Sequence, residues 1–284
     1  MIRQPRDSDL PELISLWQEA FGDAEEEAAF YFRLRHRHGN MLVMEKEGRI
    51  AGMLSMLPVT LTAKSFCIPG RYVFAVATKK ENRGQGISTA LLDAAHEAMR
   101  REGTAVSLLV PADDGLYAFY RKRGYQTAFY LHEIILSAEE ISPSPATGEV
   151  SLCGADEYFR IRSAAFTSSK LFAQWDRDAL EFVRRSAEAS GGALLRLRAG
   201  NAEAAAVCEV REGIVRVSEL ALDGFIWRDA MALIHRHFKA ERYILRLPEG
   251  MLGRDSLRPF GMIRWLREPP QMEGSPPWLA LAKD

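Results

Sequence analysis

Residues 83–88, Arg-Gly-Gln-Gly-Ile-Ser, are where this sequence comes nearest to displaying a binding site. Ahead of them, residues 74–77 are apolar and β-prone, as a short buried strand requires. Behind them, Leu91, Leu92, Ala95 and Met99 share one face of a helix expected over 88–100. Glycine lets backbone N–H groups approach a ligand with no Cβ in the way. A helix start adds unpaired N–H groups and partial positive charge. The combination suits a pyrophosphate. No Gly-Lys-Ser/Thr follows, so this is not a nucleotide P-loop, and the third glycine of a dinucleotide fingerprint is missing. Further on, Tyr120, Gly124 and Tyr125 bracket the end of a short helix expected over 116–123.

These two stretches resemble the GNAT superfamily of acyl-CoA-dependent N-acyltransferases. The loop is similar to that family's pattern [Q/R]-x-x-G-x-[G/A] from Arg83 to Ile87, and departs at Ser88, where Gly or Ala is usual. The segment 119–125 is similar to the family's Y-x-x-x-G-[FY]. The resemblance implies that Arg83, Gly84, Gln85, Gly86, Ile87 and Ser88 hold the pyrophosphate. It implies that backbone groups of Val76, Ala77 and Thr78 pair with the pantetheine arm and polarise the acyl carbonyl. Tyr120 falls on the position that protonates the leaving thiolate, and a phenol of ordinary pKa stays protonated at neutral pH. Acetyl-CoA is the expected co-substrate, without a metal.

Around these residues the chain reads as a short strand at 2–4, a helix from Leu10 to Gly22, and a second helix from the acidic run 23–27 to His38. A hairpin over 41–57 turns at 46–49. Strands at 59–66 and 71–77 are expected to be split by Pro69-Gly70. Strands at 106–110 and 129–136 flank the short helix. This order is that of the GNAT fold. The expected fold class is therefore α+β (mixed α/β), with a mostly antiparallel, splayed sheet flanked by helices.

Residues 138–149, rich in Ser, Pro and charge, read as a linker between a GNAT acetyltransferase domain at 1–137 and a second domain at 150–284. The second stretch repeats the first weakly. Residues 161–166 parallel 16–21, and 176–189 form an amphipathic helix. Strand-like segments lie at 193–198, 204–210, 214–222 and 243–247, with a helix at 225–238. Arg258 to Met262 echoes Arg121 to Tyr125, which sets Leu257 where Tyr120 stands. Asp223, Phe225 and Trp227 occupy the equivalent of the loop, where carboxylate and bulk oppose phosphate. The second domain is expected to be a degenerate GNAT-like copy that walls off the acceptor or builds an oligomer interface.

Composition limits the partners. Lys+Arg total 37 and Asp+Glu 38, and residues 1–137 carry 17 of each, so neither half has the charge of a general nucleic-acid binder. No apolar run spans a membrane, and the first residues lack a signal core. Cys67, Cys153 and Cys208 show no metal or disulfide spacing, which suits a reducing cytoplasm. The base that deprotonates the amine stays open between Glu45, His132 and Glu133. In related two-GNAT enzymes of the enhanced-intracellular-survival type, the C-terminal carboxylate lies near the active site; those carry a third domain this chain is too short to contain, so no such role is expected of Asp284. Two readings result: an N-acetyltransferase acting on an amine of a small molecule or protein, and a non-catalytic acyl-CoA-binding module with a partner-binding second domain.

Overall fold

The computed structural model describes residues 1–37, 39–64, 66–141 and 147–281. His38, Asp284 and linker residues 142–146 lie outside them. The chain divides into two compact units. Unit 1 comprises residues 1–60, 68–126 and 262–270, and unit 2 comprises 61–67, 127–261 and 271–284.

Unit 1 begins with β1 (Ile2–Arg3), α1 (Leu10–Phe21) and α2 (Glu25–Arg35), then β2 (Met41–Lys46) and β3 (Arg49–Thr62). Pro11 sits in the first turn of α1, and Gly22 caps it in the left-handed conformation that glycine adopts without cost. The β2–β3 hairpin turns at Glu47 and Gly48, both at positive φ as a tight two-residue turn requires. Next come β4 (Cys67–Thr78), α3 (Ile87–Arg101), β5 (Val106–Leu109) and α4 (Asp114–Arg121). β4 and β5 run parallel, but their register covers only Gly70–Tyr72 against Val106–Leu108. Residues 73–78 of β4 continue past the end of that ladder.

Pro69-Gly70 does not split the strands as expected; it lies inside β4. A Cβ on Gly70 would stand 2.9 Å from Val106 Cγ1 and 3.3 Å from Val59 Cγ1. The glycine serves close packing between strands and not a turn. Pro58 likewise lies within β3.

Unit 2 contains β6 (Gln126–Ser137, from residue 127 on), α5 (Ala138–Ile141), β7 (Glu149–Leu152), α6 (Ala155–Ala165), β8 (Phe172–Gln174) and α7 (Arg177–Ala189). It continues through β9 (Ala193–Ala199), β10 (Ala202–Arg211), β11 (Ile214–Asp223), α8 (Trp227–Phe238) and β12 (Arg242–Pro248). The last strand, β13 (Leu257–Trp265), gives residues 257–261 to unit 2 and 262–265 to unit 1, where they pair antiparallel with β5. From β7 onward the order of unit 1 recurs as far as β12, with β8 added and only a 3-10 turn at Arg254–Ser256 where α4 would follow, and β11 and β12 form a second parallel pair. The expected linker starts as the short helix α5.

One expectation is corrected here. Residues 257–262 are strand, so they are no counterpart of the α4 terminus, and Leu257 does not take the place of Tyr120. The compact units also differ from the sequential division at 137: residues 127–137 belong to unit 2, because β6 pairs with β12 from Leu131 to Ser137.

The core of unit 2 packs α8 on one sheet face, through Met231, Leu233 and Ile234 against Leu195, Val217 and Leu245. Near α6 a carboxylate is fully buried. Glu219 accepts from Tyr158 (2.6 Å), Arg162 Nε (2.8 Å) and Trp278 Nε1 (2.7 Å). A charge without solvent is tolerable only with such a set of donors.

Candidate functional site

The loop between β4 and α3 has the conformation that its glycines suggest. Gly84 and Gly86 have φ of 75° and 77°, and Gly86 is the N-cap of α3. No side-chain hydrogen bond caps this helix, so its first N–H groups remain available. A Cβ on either glycine would meet nothing within 4 Å. The glycines are therefore needed for backbone sign, and they face open space. Arg83 Nε reaches the Thr78 carbonyl at 3.3 Å, and Lys46 Nζ donates to Gln85 Oε1 at 2.8 Å. Gln85 Nε2 in turn donates to the Glu81 carbonyl.

Below the loop, β3 approaches closely. A Cβ on Gly52 would stand 2.7 Å from Ile87 Cγ2 and 2.9 Å from the Ala77 carbonyl. Only glycine lets β3 lie this close to the end of β4 and the start of α3 at once. Ser88, the departure from the family pattern, points its hydroxyl to Thr78 Oγ1, 2.9 Å away.

Val76, Ala77 and Thr78 lie on the part of β4 beyond its register with β5. Sequence reasoning missed the residue just before them. Ala75 has φ of 50°, which a non-glycine residue adopts only when its surroundings impose it. A left-handed residue within a strand marks a bulge, which re-aims the backbone. Alanine carries no turn signature, so nothing in the sequence marks it. Beside the bulge, Phe74 packs against Trp17 (5.9 Å between centroids), Tyr31 (5.5 Å) and Tyr72 (5.9 Å). Tyr31 is held by Ser55 Oγ at 2.9 Å.

Tyr120 is on α4. Its ring is buried with Ile87, Leu91 and Val73 in one cluster, which brings it to the same side of unit 1 as the loop. Its hydroxyl has no hydrogen-bond partner among the described residues. Burial pushes its pKa up to about 12, against the nearby Arg123 charge, which works to lower it. The phenol is thus fully protonated at neutral pH. Arg123 stitches α4 to the first turns of α3: it donates to Thr89 Oγ1 from Nε (3.2 Å) and Nη2, and to the Phe119 carbonyl (2.7 Å). Its guanidinium lies 3.4 Å from the centre of the Phe119 ring.

Behind Tyr120, Tyr125 meets its ring edge-on at 5.7 Å. The Tyr125 hydroxyl lies 2.8 Å from His96 Nε2 and 2.6 Å from Ser107 Oγ. Arg264 Nη1 donates to His96 Nδ1 (2.9 Å) and to the Arg123 carbonyl (2.8 Å). Since Nδ1 accepts, Nε2 carries the proton and donates to Tyr125, which donates to Ser107. Burial, then the charges of Arg264 and Arg100, lower the His96 pKa to about 3, so the ring is neutral. This buried chain fixes Tyr125, and through it the ring of Tyr120. Nothing in the spacing of His96, Ser107 and Arg264 signals it.

Each of the three candidate bases has a hydrogen-bond partner, although His132 Nε2 is buried without one. Glu45 accepts from Arg3 Nε at 2.6 Å in unit 1. His132 and Glu133 belong to unit 2, where His132 Nδ1 pairs with Ser256 Oγ at 2.9 Å. Burial works to raise the Glu133 pKa, but Arg246 and Arg258 hold it below the usual carboxylate value.

In unit 2, β11 passes to α8 through Gly224, Phe225 and Ile226 alone. Phe225 is buried, and Ile226 is the N-cap. Of the three, only Gly224 is left-handed. Among the described residues no group of His, Cys, Asp and Glu could hold a metal ion, and no helix is long and apolar enough to cross a membrane.

Residues 1–128 match the acetyltransferase (GNAT) domain family. The fold is similar to a GCN5-related N-acetyltransferase of Anabaena variabilis, at 15% identity and a TM-score of 0.77 over 94% of this chain and 73% of that one. A GCN5-related N-acetyltransferase of Kribbella flavida is similar at 14% identity and 0.71, over 94% and 72%. Eis1 of Mycobacterium abscessus is similar at 15% identity and 0.67, over 94% and 74%. No curated protein matches the chain. A strand, a glycine-bearing loop and a helix in that order, within a mixed α/β structure of mostly antiparallel sheet, accompany the domain match: residues 1–128 are similar to a GNAT acetyltransferase domain, and the chain shares the fold of these solved structures.

Proposed function

We propose that this protein is an acetyl-CoA-dependent N-acetyltransferase acting on an amine of a small molecule or protein. The observation that carries the reading is Tyr120: a buried, protonated phenol with an unpartnered hydroxyl, stitched by Arg123 to the helix that begins at Gly86. Residues 83–88 hold the pyrophosphate by backbone N–H groups and the positive end of α3. Val76, Ala77 and Thr78 pair with the pantetheine arm where β4 has left β5, and polarise the acyl carbonyl. The amine nitrogen attacks the thioester carbon, and the C–S bond breaks as the tetrahedral intermediate collapses. Tyr120 gives its proton to the leaving thiolate, and the proton lost by the amine passes to water. The phenol is then reprotonated from solvent.

The engagement of Glu45 and Glu133 by arginines favours a second reading, an acyl-CoA-binding module without catalysis. Release of free thiol from acetyl-CoA across a panel of amines separates the two. Amine-dependent release establishes the enzyme; binding without release at any amine establishes the module. One acetyl-CoA is expected per chain, because the short turn at 224–226 leaves no loop for a second pyrophosphate. A calorimetric stoichiometry of two would contradict that.

A further inference from the structure

Lys46 ends β2 with its ammonium on the glycine loop, 2.8 Å from Gln85 Oε1. Two features of β3 bring it there. The β2–β3 ladder pairs Met44 with Gly52 and Glu45 with Ile50, so Ala51 is passed over as a bulge. The Ala51 carbonyl accepts from Lys79 N at 3.0 Å, just past the end of β4. Beside it, Gly52 makes the close approach to Ile87 and to the Ala77 carbonyl. Bulge and glycine together dock the hairpin against both ends of the loop. The position of Lys46 is therefore set by backbone contacts, and only its side chain is mobile.

The charges around Lys46 are taken by other partners. Its ladder partner is a second cation, Arg49, whose Nε lies 3.6 Å from Glu12 Oε1. The Glu45 carboxylate is held by Arg3 at 2.6 Å. Among the described residues no carboxylate, that of the adjacent Glu47 included, lies within ion-pair distance of Lys46. Gln85 Oε1 is a neutral acceptor and occupies one of the three ammonium donors. Gln85 is the residue between Gly84 and Gly86, on either of which a Cβ would meet nothing within 4 Å. An ammonium without a counter-charge is thus tethered to the loop residue that both bare glycines flank.

We propose that Lys46 is a further donor-binding residue, whose ammonium passes from Gln85 to a pyrophosphate oxygen of the bound acyl donor. The inference rests on the reading that residues 83–88 hold acyl-CoA. It adds a side-chain cation, supplied by β2, to the backbone N–H groups of the loop. The flexible four-carbon stem lets the charge shift without backbone movement. A bond between ammonium and phosphate is about twice as strong as one between neutral groups, so the exchange of Gln85 for the ligand is favourable. When the donor leaves, Gln85 takes the ammonium back.

The test is calorimetric titration of the full chain with acetyl-CoA at about 0.15 M salt. K46Q should bind about fivefold more weakly or worse, and K46R, which keeps the charge, should stay within about twofold of wild type. Affinity should also fall less steeply with added salt in K46Q, because one charge pair is gone. Lys46 is exposed at a strand end, so the variants should fold, and thermal melting checks that they do. 3′-Dephospho-acetyl-CoA keeps the pyrophosphate and should show the same fractional loss in K46Q. A loss confined to acetyl-CoA would overturn the pyrophosphate assignment. Wild-type binding with undiminished affinity in K46Q overturns the inference and leaves the loop reading standing. No binding of acetyl-CoA by the wild type removes both.

Discussion

Thr78 Oγ1 and Ser88 Oγ stand 2.9 Å apart, tying the last residue of β4 to the first turn of α3 across the glycine loop. The serine that breaks the family pattern is thus used as a clasp. S88A should lose one hydrogen bond, about 0.5–1.5 kcal/mol of stability. Acetyl-CoA affinity should stay within a few-fold, because the backbone donors are untouched. Thermal melting and calorimetric titration check the two halves, and a large loss of affinity would mean that Ser88 contacts the ligand itself.

Gly86 has φ of 77° with empty space beyond its Cα. G86E should abolish acetyl-CoA binding, by placing a carboxylate where the pyrophosphate is expected. The left-handed backbone alone costs any other residue about 1–2 kcal/mol. G86A carries that cost without the charge, so it should bind more tightly than G86E. Equal, undiminished binding by both would remove the pyrophosphate from this loop.

Replacing Tyr120 with phenylalanine keeps the buried ring and removes the proton donor. Turnover in Y120F should drop by about 10²–10⁴, with acetyl-CoA affinity nearly constant. Because the phenol ionises at about 12, the wild-type rate should not fall between pH 8 and 10 through loss of this proton. A single-turnover rate for Y120F within a few-fold of wild type would leave Tyr120 a packing residue.

His96 has a pKa near 3 in the folded chain and near 6.5 when unfolded. Below pH 6.5 the unfolded state binds the extra proton and the folded state does not. Stability is therefore complete above pH 6.5 and lost as the pH falls toward 3, by up to about 1.4 kcal/mol per unit from this group. H96Q, which can still accept from Arg264 and donate to Tyr125, should flatten the slope. Denaturant midpoints between pH 7 and 4 measure it; parallel curves for the two proteins would refute the assignment.

In unit 2, E219A should destabilise by about 3–5 kcal/mol, since it strands the Arg162 charge without solvent. Replacing the pair together, as R162M/E219L, should recover much of that loss because no buried charge then remains. Urea unfolding of the three proteins is the measure. A double variant as unstable as E219A would show that packing, and not the charge, sets the cost.

Local chemistry was enough to read the loop and the helix it starts, while Tyr120 with Gly124 was singled out only by the family resemblance. Glycine at positive φ, a cap and a 3.6-residue period act within a few residues of each other, so they leave a mark on the sequence. The order of helices and strands was legible for the same reason. What escaped depends on partners far along the chain. Gly70 reads as a turn until Val106 and Val59 are seen against it. Ala75 is bulged by its surroundings, and alanine has no signature for that. Residues 127–137 read as the end of the first domain, yet their ladder is with Arg242–Pro248. His96, Ser107, Tyr125 and Arg264 are spread over 168 positions and meet only in the folded core. Glu133 looked like a candidate base until three arginines from distant strands took its oxygen. Backbone preference is short-ranged and written in sequence; burial, and the pairing of charge that burial demands, is decided by tertiary structure.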